Sequence, residues 1–215
     1  YAAIGEGEKT FNQLATGMPA AQVDGLAYWE NGKAVMSKQS NEMIGKTESG
    51  STTFLMQKDI YTLQVGKLKR EFQLDIDDFG MPDWESIDPR SYNYEPHGMI
   101  IHARPMAPII TTRGCPYSCT YCSAPITAGK RMRTRDPHKV VDEIEMLVND
   151  YGVKEIQIED DNFTLVREHC VAICEEILKR NIKIIWSLPN GVRIDKLDRE
   201  LLVLMKEAGC LSMAL

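Results

Sequence analysis

The stretch Asp136-Pro137-His138-Lys139-Val140-Val141-Asp142-Glu143-Ile144-Glu145-Met146-Leu147-Val148-Asn149-Asp150-Tyr151-Gly152 decides how the chain folds. Asp136 is a helix-capping residue, and Pro137 follows it at the first helical position, where an N–H would lack a partner anyway. Gly152 suits the left-handed turn that ends a helix. Between these caps Val140, Ile144, Leu147 and Val148 recur at helical spacing and form one apolar stripe. The spacing predicts a helix over Pro137–Tyr151. Working outward, Val153–Glu159 reads as a strand, Val166–Asn181 as a helix, Ile182–Ser187 as a strand and Arg199–Ala208 as a helix followed by Gly209. Leu211 opens a further apolar segment, and Ala107–Thr112 supplies a strand on the upstream side. Strands alternating with helices predict an α/β fold with a parallel sheet or barrel, whose active face lies at the C-terminal strand ends. Four such strands would make half of an eight-stranded barrel.

The rest of the chain is less regular. Residues 1–45 are mixed: Gly5-Glu6-Gly7-Glu8 reads as a turn, Thr10–Thr16 as a short helix, and Asn31-Gly32 as the turn of a hairpin within Gly25–Val35. They are too few to close a core alone and read as the tail of a domain, which, with Tyr1 in place of Met, implies a preceding segment. Residues 46–106 read as a connector, with alternating Ile60, Leu63, Val65 and Leu68 suggesting two short strands. Between Met81 and Pro108 stand Pro82, Pro89, Pro96, Pro105 and Pro108, with Trp84, Tyr92 and Tyr94, a composition that resists helix. Residues 107–215 then form the regular βα segment, with a boundary near 106.

Of 215 residues, 43% are hydrophobic and 26% charged, which excludes a disordered or collagen-like chain. Twenty-five Lys and Arg against 31 Asp and Glu leave a net charge of −6, which favours neither nucleic acid nor an anionic membrane as partner. No apolar run approaches the roughly 20 residues of a membrane span, and no secretory signal is visible. The six cysteines are too uneven for a disulfide scaffold, so a reducing, cytoplasmic setting is expected.

Chemistry concentrates in Thr111-Thr112-Arg113-Gly114-Cys115-Pro116-Tyr117-Ser118-Cys119-Thr120-Tyr121-Cys122. Three thiolates within eight residues, directly after a strand, can converge on one metal centre. A zinc site normally needs four protein ligands, and no second Cys-x-x-Cys or His pair completes one. A ferredoxin-like run would place a fourth Cys before Pro, where Ser123-Ala124-Pro125 stands instead. Three cysteines on a four-iron cluster leave one iron without a protein ligand, and such an iron can bind a small molecule. A non-catalytic zinc or electron-transfer module, with a donor from elsewhere, is the alternative of a different class.

The Cys-x3-Cys-x2-Cys loop, with Tyr121 before its last cysteine and a βα repeat after it, resembles the signature of the radical S-adenosylmethionine superfamily. Gly5-Glu6-Gly7-Glu8, the connector from Met81-Pro82-Asp83-Trp84 to Ile87-Asp88-Pro89-Arg90, and Ile158-Glu159-Asp160-Asp161-Asn162-Phe163 extend the resemblance to the cobalamin-binding branch of that superfamily. It covers most of the chain outside roughly 46–75. The resemblance implies the tail of a Rossmann-like cobalamin-binding domain, a connector and a truncated radical barrel of parallel βα units. It implies a [4Fe-4S] cluster on Cys115, Cys119 and Cys122, with S-adenosylmethionine chelated to the open iron and cleaved by one electron to a 5′-deoxyadenosyl radical. The reaction implied is cobalamin-dependent methyl transfer to a small-molecule substrate, or else radical cyclisation or oxidoreduction. An electron donor such as flavodoxin or ferredoxin would serve as partner. The branch's cobalt-ligating motif, Asp-x-His-x-x-Gly, is absent: Asp136 and His138 share its first spacing, but Val141 replaces the glycine and Asp136 reads as a cap. Cobalamin is therefore expected of the intact protein.

Further cofactor contacts follow from the same resemblance. Tyr121 is one candidate. At the end of the second barrel strand, where the superfamily often receives the cofactor's ammonium group, stand Glu159, Asp160 and Asp161. Glu159 or Asp160 is the expected contact, with Asp161 and Asn162 as turn or cap residues and a solvated acidic loop as the plain alternative. Asn190 and Arg193 could reach the ribose or carboxylate, or serve the turn at Pro189-Asn190-Gly191. Cys170, Cys174 and Cys210 read as core, Lys130, Arg131, Arg133, Arg135 and Lys139 as a solvated loop, and the four histidines receive no role.

Overall fold

A computed structural model describes residues 2–3, 7–23, 25–37, 52–56, 60–65, 68–92 and 99–215. The chain forms two compact units, Tyr1–Asp75 with Pro116–Lys130, and Ile76–Cys115 with Arg131–Leu215.

In the first unit, β1 (Ala2–Ala3), β2 (Leu26–Glu30) and β3 (Lys33–Met36) form an antiparallel sheet in that order, and α1 (Gly7–Ala15) lies between β1 and β2 in sequence. Asn31 and Gly32 both take positive φ, 49° and 76°, and make the expected two-residue hairpin turn. Gly7 and Glu8 open α1, while Gly5 and Glu6 lie outside the described residues. Between residues 46 and 72 the structure has three strands where the alternation suggests two: β4 (Thr52–Met56), β5 (Ile60–Val65) and β6 (Leu68–Gln73), paired as an antiparallel meander. A single helical turn, α2 (Ala124–Thr127), completes the unit.

The second unit is built on a four-stranded parallel sheet. Its strands are β7 (Met106–Ile109), β10 (Glu155–Ile158), β11 (Ile185–Leu188) and β12 (Cys210–Met213), adjacent in sequence order. The short pair β8 (Thr112–Arg113) and β9 (Arg133–Thr134) is antiparallel. Helices α3 (Pro137–Tyr151), α4 (Arg167–Lys179) and α5 (Arg199–Glu207) make the crossovers. As expected, α3 starts at Asp136, whose side chain accepts the His138 N–H at 2.8 Å, and stops at Gly152 with φ 66°.

Strand pleating divides the sheet into two faces. Ala107, Ile109, Ile156, Ile158, Trp186 and Leu188 point to the helical layer and pack with Val140, Ile144, Leu147, Ile173, Ile177, Leu201 and Met205. Each large aliphatic side chain buried this way contributes roughly 1.5–3 kcal/mol. Phe163 meets Trp186 edge to face, with ring centroids 5.6 Å apart. Cys170 and Cys174 lie fully buried in this core, in keeping with their i, i+4 stripe. Gly209, at φ 102°, closes α5 where a Cβ would stand 2.1 Å from the Ile184 carbonyl, so only glycine fits.

Residues 76–106 group with the sheet's own unit, where Trp84 is buried in the core and donates its indole N–H to Glu143 of α3 at 2.9 Å. Tyr94, Pro96 and His97 lie outside the described residues. One expectation is corrected: the basic run is not a wholly solvated loop. Arg133 is buried in β9, and Arg135 pairs with the fully buried Glu143 at 2.6 Å while Asp77 lies 3.6 Å away.

Candidate functional site

The C-terminal strand ends of the second unit gather several of the residues singled out in the sequence. The pleat separates the acidic triplet after β10. Glu155 and Gln157, paired with Met106 and Pro108 of β7, face away from the helical layer. Glu159 continues that alternation, its N–H donating to the Ile109 carbonyl at 2.8 Å as if the ladder ran one residue further. Its side chain is half-buried. Asn190, in the loop after β11, donates from Nδ2 to the Glu159 carbonyl at 2.9 Å, so two expected site residues are brought together. Gly191 takes φ 88° in that loop, and Val192 N–H donates to the Ala214 carbonyl at 3.0 Å. Arg193 is exposed and donates from Nε to Asp195 at 2.9 Å.

Asp160 points the other way, toward the helical layer, and is 2% exposed. Its Oδ1 accepts the N–H groups of Thr111 at 2.6 Å and Thr112 at 3.0 Å, and its Oδ2 accepts their hydroxyls at 2.6 and 2.9 Å. Burial pushes its carboxyl up to about 6, opposed by these donors. The expectation that Asp160 contacts the cofactor meets a saturated, buried carboxylate, since a carboxylate offers about four acceptor positions. Asp161 is half-buried and accepts the Gly114 N–H; burial raises its carboxyl, with Arg133 acting in the opposite sense. Beyond Thr111 lies His169 of α4, whose Nε2 is 3.2 Å from the Thr111 hydroxyl. The Thr111 proton is committed to Asp160, so the neutral imidazole donates from Nε2. Burial pulls the His169 pKa down to about 4, in keeping with that neutral form.

These contacts explain why β7 stops at Ile109 instead of Thr112. Thr111 and Thr112 turn their N–H groups to Asp160, and the chain then starts the separate β8–β9 pair. His169 is the residue that sequence reasoning missed. Its only sequence signal was a histidine one position before Cys170, on the buried stripe of α4.

Of the three cysteines, Cys115 ends this stem in the second unit and is buried, next to Gly114 at φ 96°. Cys119 and Cys122 are exposed in the loop of the first unit. There Cys122 N–H donates to the Cys119 carbonyl at 3.1 Å, and Ala124 N–H points at the Cys122 sulfur at 3.4 Å. Lys130 Nζ donates to Ser118 at 2.9 Å across the same loop, and Tyr121 is 91% exposed. Among the described residues no three His, Cys, Asp or Glu side chains are gathered in a geometry for holding a metal ion. The donor chemistry nonetheless suits an iron–sulfur cluster: three soft thiols, one already receiving an amide N–H.

A parallel βα sheet with a three-cysteine loop at its first strand end defines a class of domain. Residues 109–215 match the Radical SAM superfamily model, and this part of the chain belongs to that superfamily. Among curated relatives, the anaerobic magnesium-protoporphyrin IX monomethyl ester cyclase of Cereibacter sphaeroides is 38% identical over 62% of this chain and 21% of its own length. An uncharacterized methyltransferase of Pyrococcus horikoshii is 26% identical over 96% of this chain and 37% of its own. The radical S-adenosylmethionine methyltransferase TsrM from Kitasatospora setae, solved with cobalamin and a [4Fe-4S] cluster bound, shares the fold. Its TM-score is 0.62 at 22% identity, covering 97% of this chain and 36% of that one. The chain thus spans between about a fifth and two fifths of the proteins it resembles. No helix among the described residues is long and apolar enough to cross a membrane.

Proposed function

We propose that the chain contributes the first part of the catalytic domain of a radical S-adenosylmethionine enzyme, most consistent with cobalamin-dependent methyl transfer to a small-molecule substrate. The observation that carries the reading is the position of the Cys-x3-Cys-x2-Cys loop: it leaves the C-terminal end of β7 within the superfamily match. Cys115, Cys119 and Cys122 would hold a [4Fe-4S] cluster. When bound, a cluster with three protein thiolates supplies one open iron and the electron that splits the cofactor's sulfonium.

The chain's own residues then orient and shield. Glu159, on the face turned away from the helices, would accept the ammonium of S-adenosylmethionine through a charge-assisted hydrogen bond. Asn190 fixes the Glu159 main chain and thereby the direction of that carboxylate. Tyr121 and Arg193, both exposed, would contact the ribose or carboxylate of the cofactor. Cobalamin and an external electron donor, such as a flavodoxin or ferredoxin, complete the proposal for the intact protein. The TsrM likeness over 97% of the chain supports the cobalamin-associated reading.

The 38% identity to a cyclase over 62% of this chain supports one competing reading, radical cyclisation or related oxidoreduction. The intact protein, supplied with cobalamin, reductant and S-adenosylmethionine labelled in its methyl group, separates the two. Methyl transfer predicts label on cobalamin. Formation of 5′-deoxyadenosine with no label ever reaching cobalamin would favour the cyclase reading, and absence of any cofactor cleavage would contradict both.

A further inference from the structure

We infer that Asp160 and Asp161 are positioning residues that clamp the stem of the cysteine loop, Thr111–Gly114, and so fix where Cys115 presents its sulfur. The inference rests on the cluster role proposed for that cysteine. Three of the four stem residues are held by the two adjacent carboxylates. Asp160 takes both the N–H and the hydroxyl of Thr111 and of Thr112, and Asp161 takes the N–H of Gly114. Gly114, at φ 96°, is a backbone position that a side chain would strain, so its N–H direction is set by the turn as well as by the acid.

The arrangement also resolves why three acids stand in a row. Pleating sends Glu159 to one face and Asp160 to the other, while Asp161 has Arg133 near it to offset its charge. An oxygen pair that accepts four donors has no capacity left for an ammonium ion, which removes Asp160 from cofactor binding and leaves it a mechanical task. The task requires Asp and not Asn. An amide has one acceptor oxygen and would turn an NH2 toward two hydroxyls. His169 backs the clamp from α4 by donating to Thr111, which holds the hydroxyl proton toward Asp160.

The test uses the full-length protein, reconstituted anaerobically with iron and sulfide. Thr112→Val, nearly isosteric, removes one donor and keeps the backbone; Asp160→Asn removes half of the acceptors. Leu201→Ala, which opens a cavity under the fully buried face of α5, is the control for general destabilisation. The readouts are the rate of iron release to a chelator, the reduced electron paramagnetic resonance signal and the melting temperature. The clamp predicts roughly tenfold faster iron release and an altered signal in Thr112→Val and Asp160→Asn, while Leu201→Ala, with a melting temperature lowered at least as far, keeps the wild-type rate and signal. If Asp160→Asn does not fold, Thr112→Val decides. Wild-type release rates and signal in the Thr112→Val protein would overturn the clamp and leave the proposed function standing. A wild-type protein that takes up no cluster would overturn both.

Discussion

Asn190 Nδ2 donates to the main-chain carbonyl of Glu159 at 2.9 Å, tying the loop after β11 to the end of β10. One N–H of the Asn190 amide is thereby held by backbone, and through that bond Asn190 bears on the Glu159 main chain. Glu159→Gln is expected to raise the dissociation constant for S-adenosylmethionine about tenfold, the value of a charge-assisted bond reduced to a neutral one. Asn190→Ala should raise it less, and the double variant should bind no worse than Glu159→Gln because both act on one contact. Isothermal titration reads all three, and an unchanged constant for Glu159→Gln removes that residue from the site.

Cys115→Ala, Cys119→Ala and Cys122→Ala should each lose most of the iron taken up on reconstitution. Cys170→Ala and Cys174→Ala, buried in the helical core, should keep the iron and lose only stability, about 1–2 kcal/mol each for a small apolar group removed from a packed interior. Iron and sulfide analysis with thermal melts checks both halves. Equal iron in all five variants would contradict the assignment.

Glu143 is fully buried and joins Trp84 of the connector, at 2.9 Å, to Arg135 of the loop before α3, at 2.6 Å. Glu143→Gln removes the charge that Arg135 faces and is expected to cost about 3 kcal/mol of stability. Trp84→Phe, which removes a hydrogen bond but keeps the ring, should cost about 1 kcal/mol. Denaturant unfolding gives both values; a neutral Glu143→Gln would show that the pair contributes nothing net.

The buried pair Asp160 and His169 sets two opposing pH slopes. Asp160 titrates at about 6 when folded against 3.8 unfolded, so the folded state retains its proton longer and this contribution is lost as pH rises through 6. His169 titrates at about 4 when folded against 6.5 unfolded, so its contribution is present above 6.5 and is lost as pH falls toward 4. Between pH 4 and 6 the two largely offset each other. Asp160→Asn leaves the histidine slope alone, and its melting temperature should fall more steeply than wild type on acidification across that window. His169→Phe should do the reverse. Parallel curves for all three proteins would contradict the buried state of this pair.

Local chemistry was readable in the sequence, and distant pairing was not. The span of α3 follows from Asp136, Pro137 and Gly152, residues whose effects act within one turn of the helix end. The order of strands and helices followed from periodicity, since each apolar stripe needs a partner face. The end of β7 did not follow, because Thr111 leaves the ladder for an acid 49 residues away, a pairing that no local pattern encodes. The same limit hid which of Glu159, Asp160 and Asp161 faces where. A shift of one residue in strand end reverses every side chain, and only the pairing of Gln157 with Pro108 fixes it. Arg135 read as solvated for a similar reason, since its partner Glu143 sits on the buried side of α3.

The most direct test of the central claim is the electron paramagnetic resonance spectrum of the intact protein, reconstituted and reduced without oxygen, recorded with and without S-adenosylmethionine alongside iron and sulfide counts. The proposed function predicts a four-iron signal whose line positions shift when the cofactor is added, because an iron lacking a protein ligand takes it up. A cluster whose spectrum ignores the cofactor, or a protein that binds zinc and no iron, would contradict it.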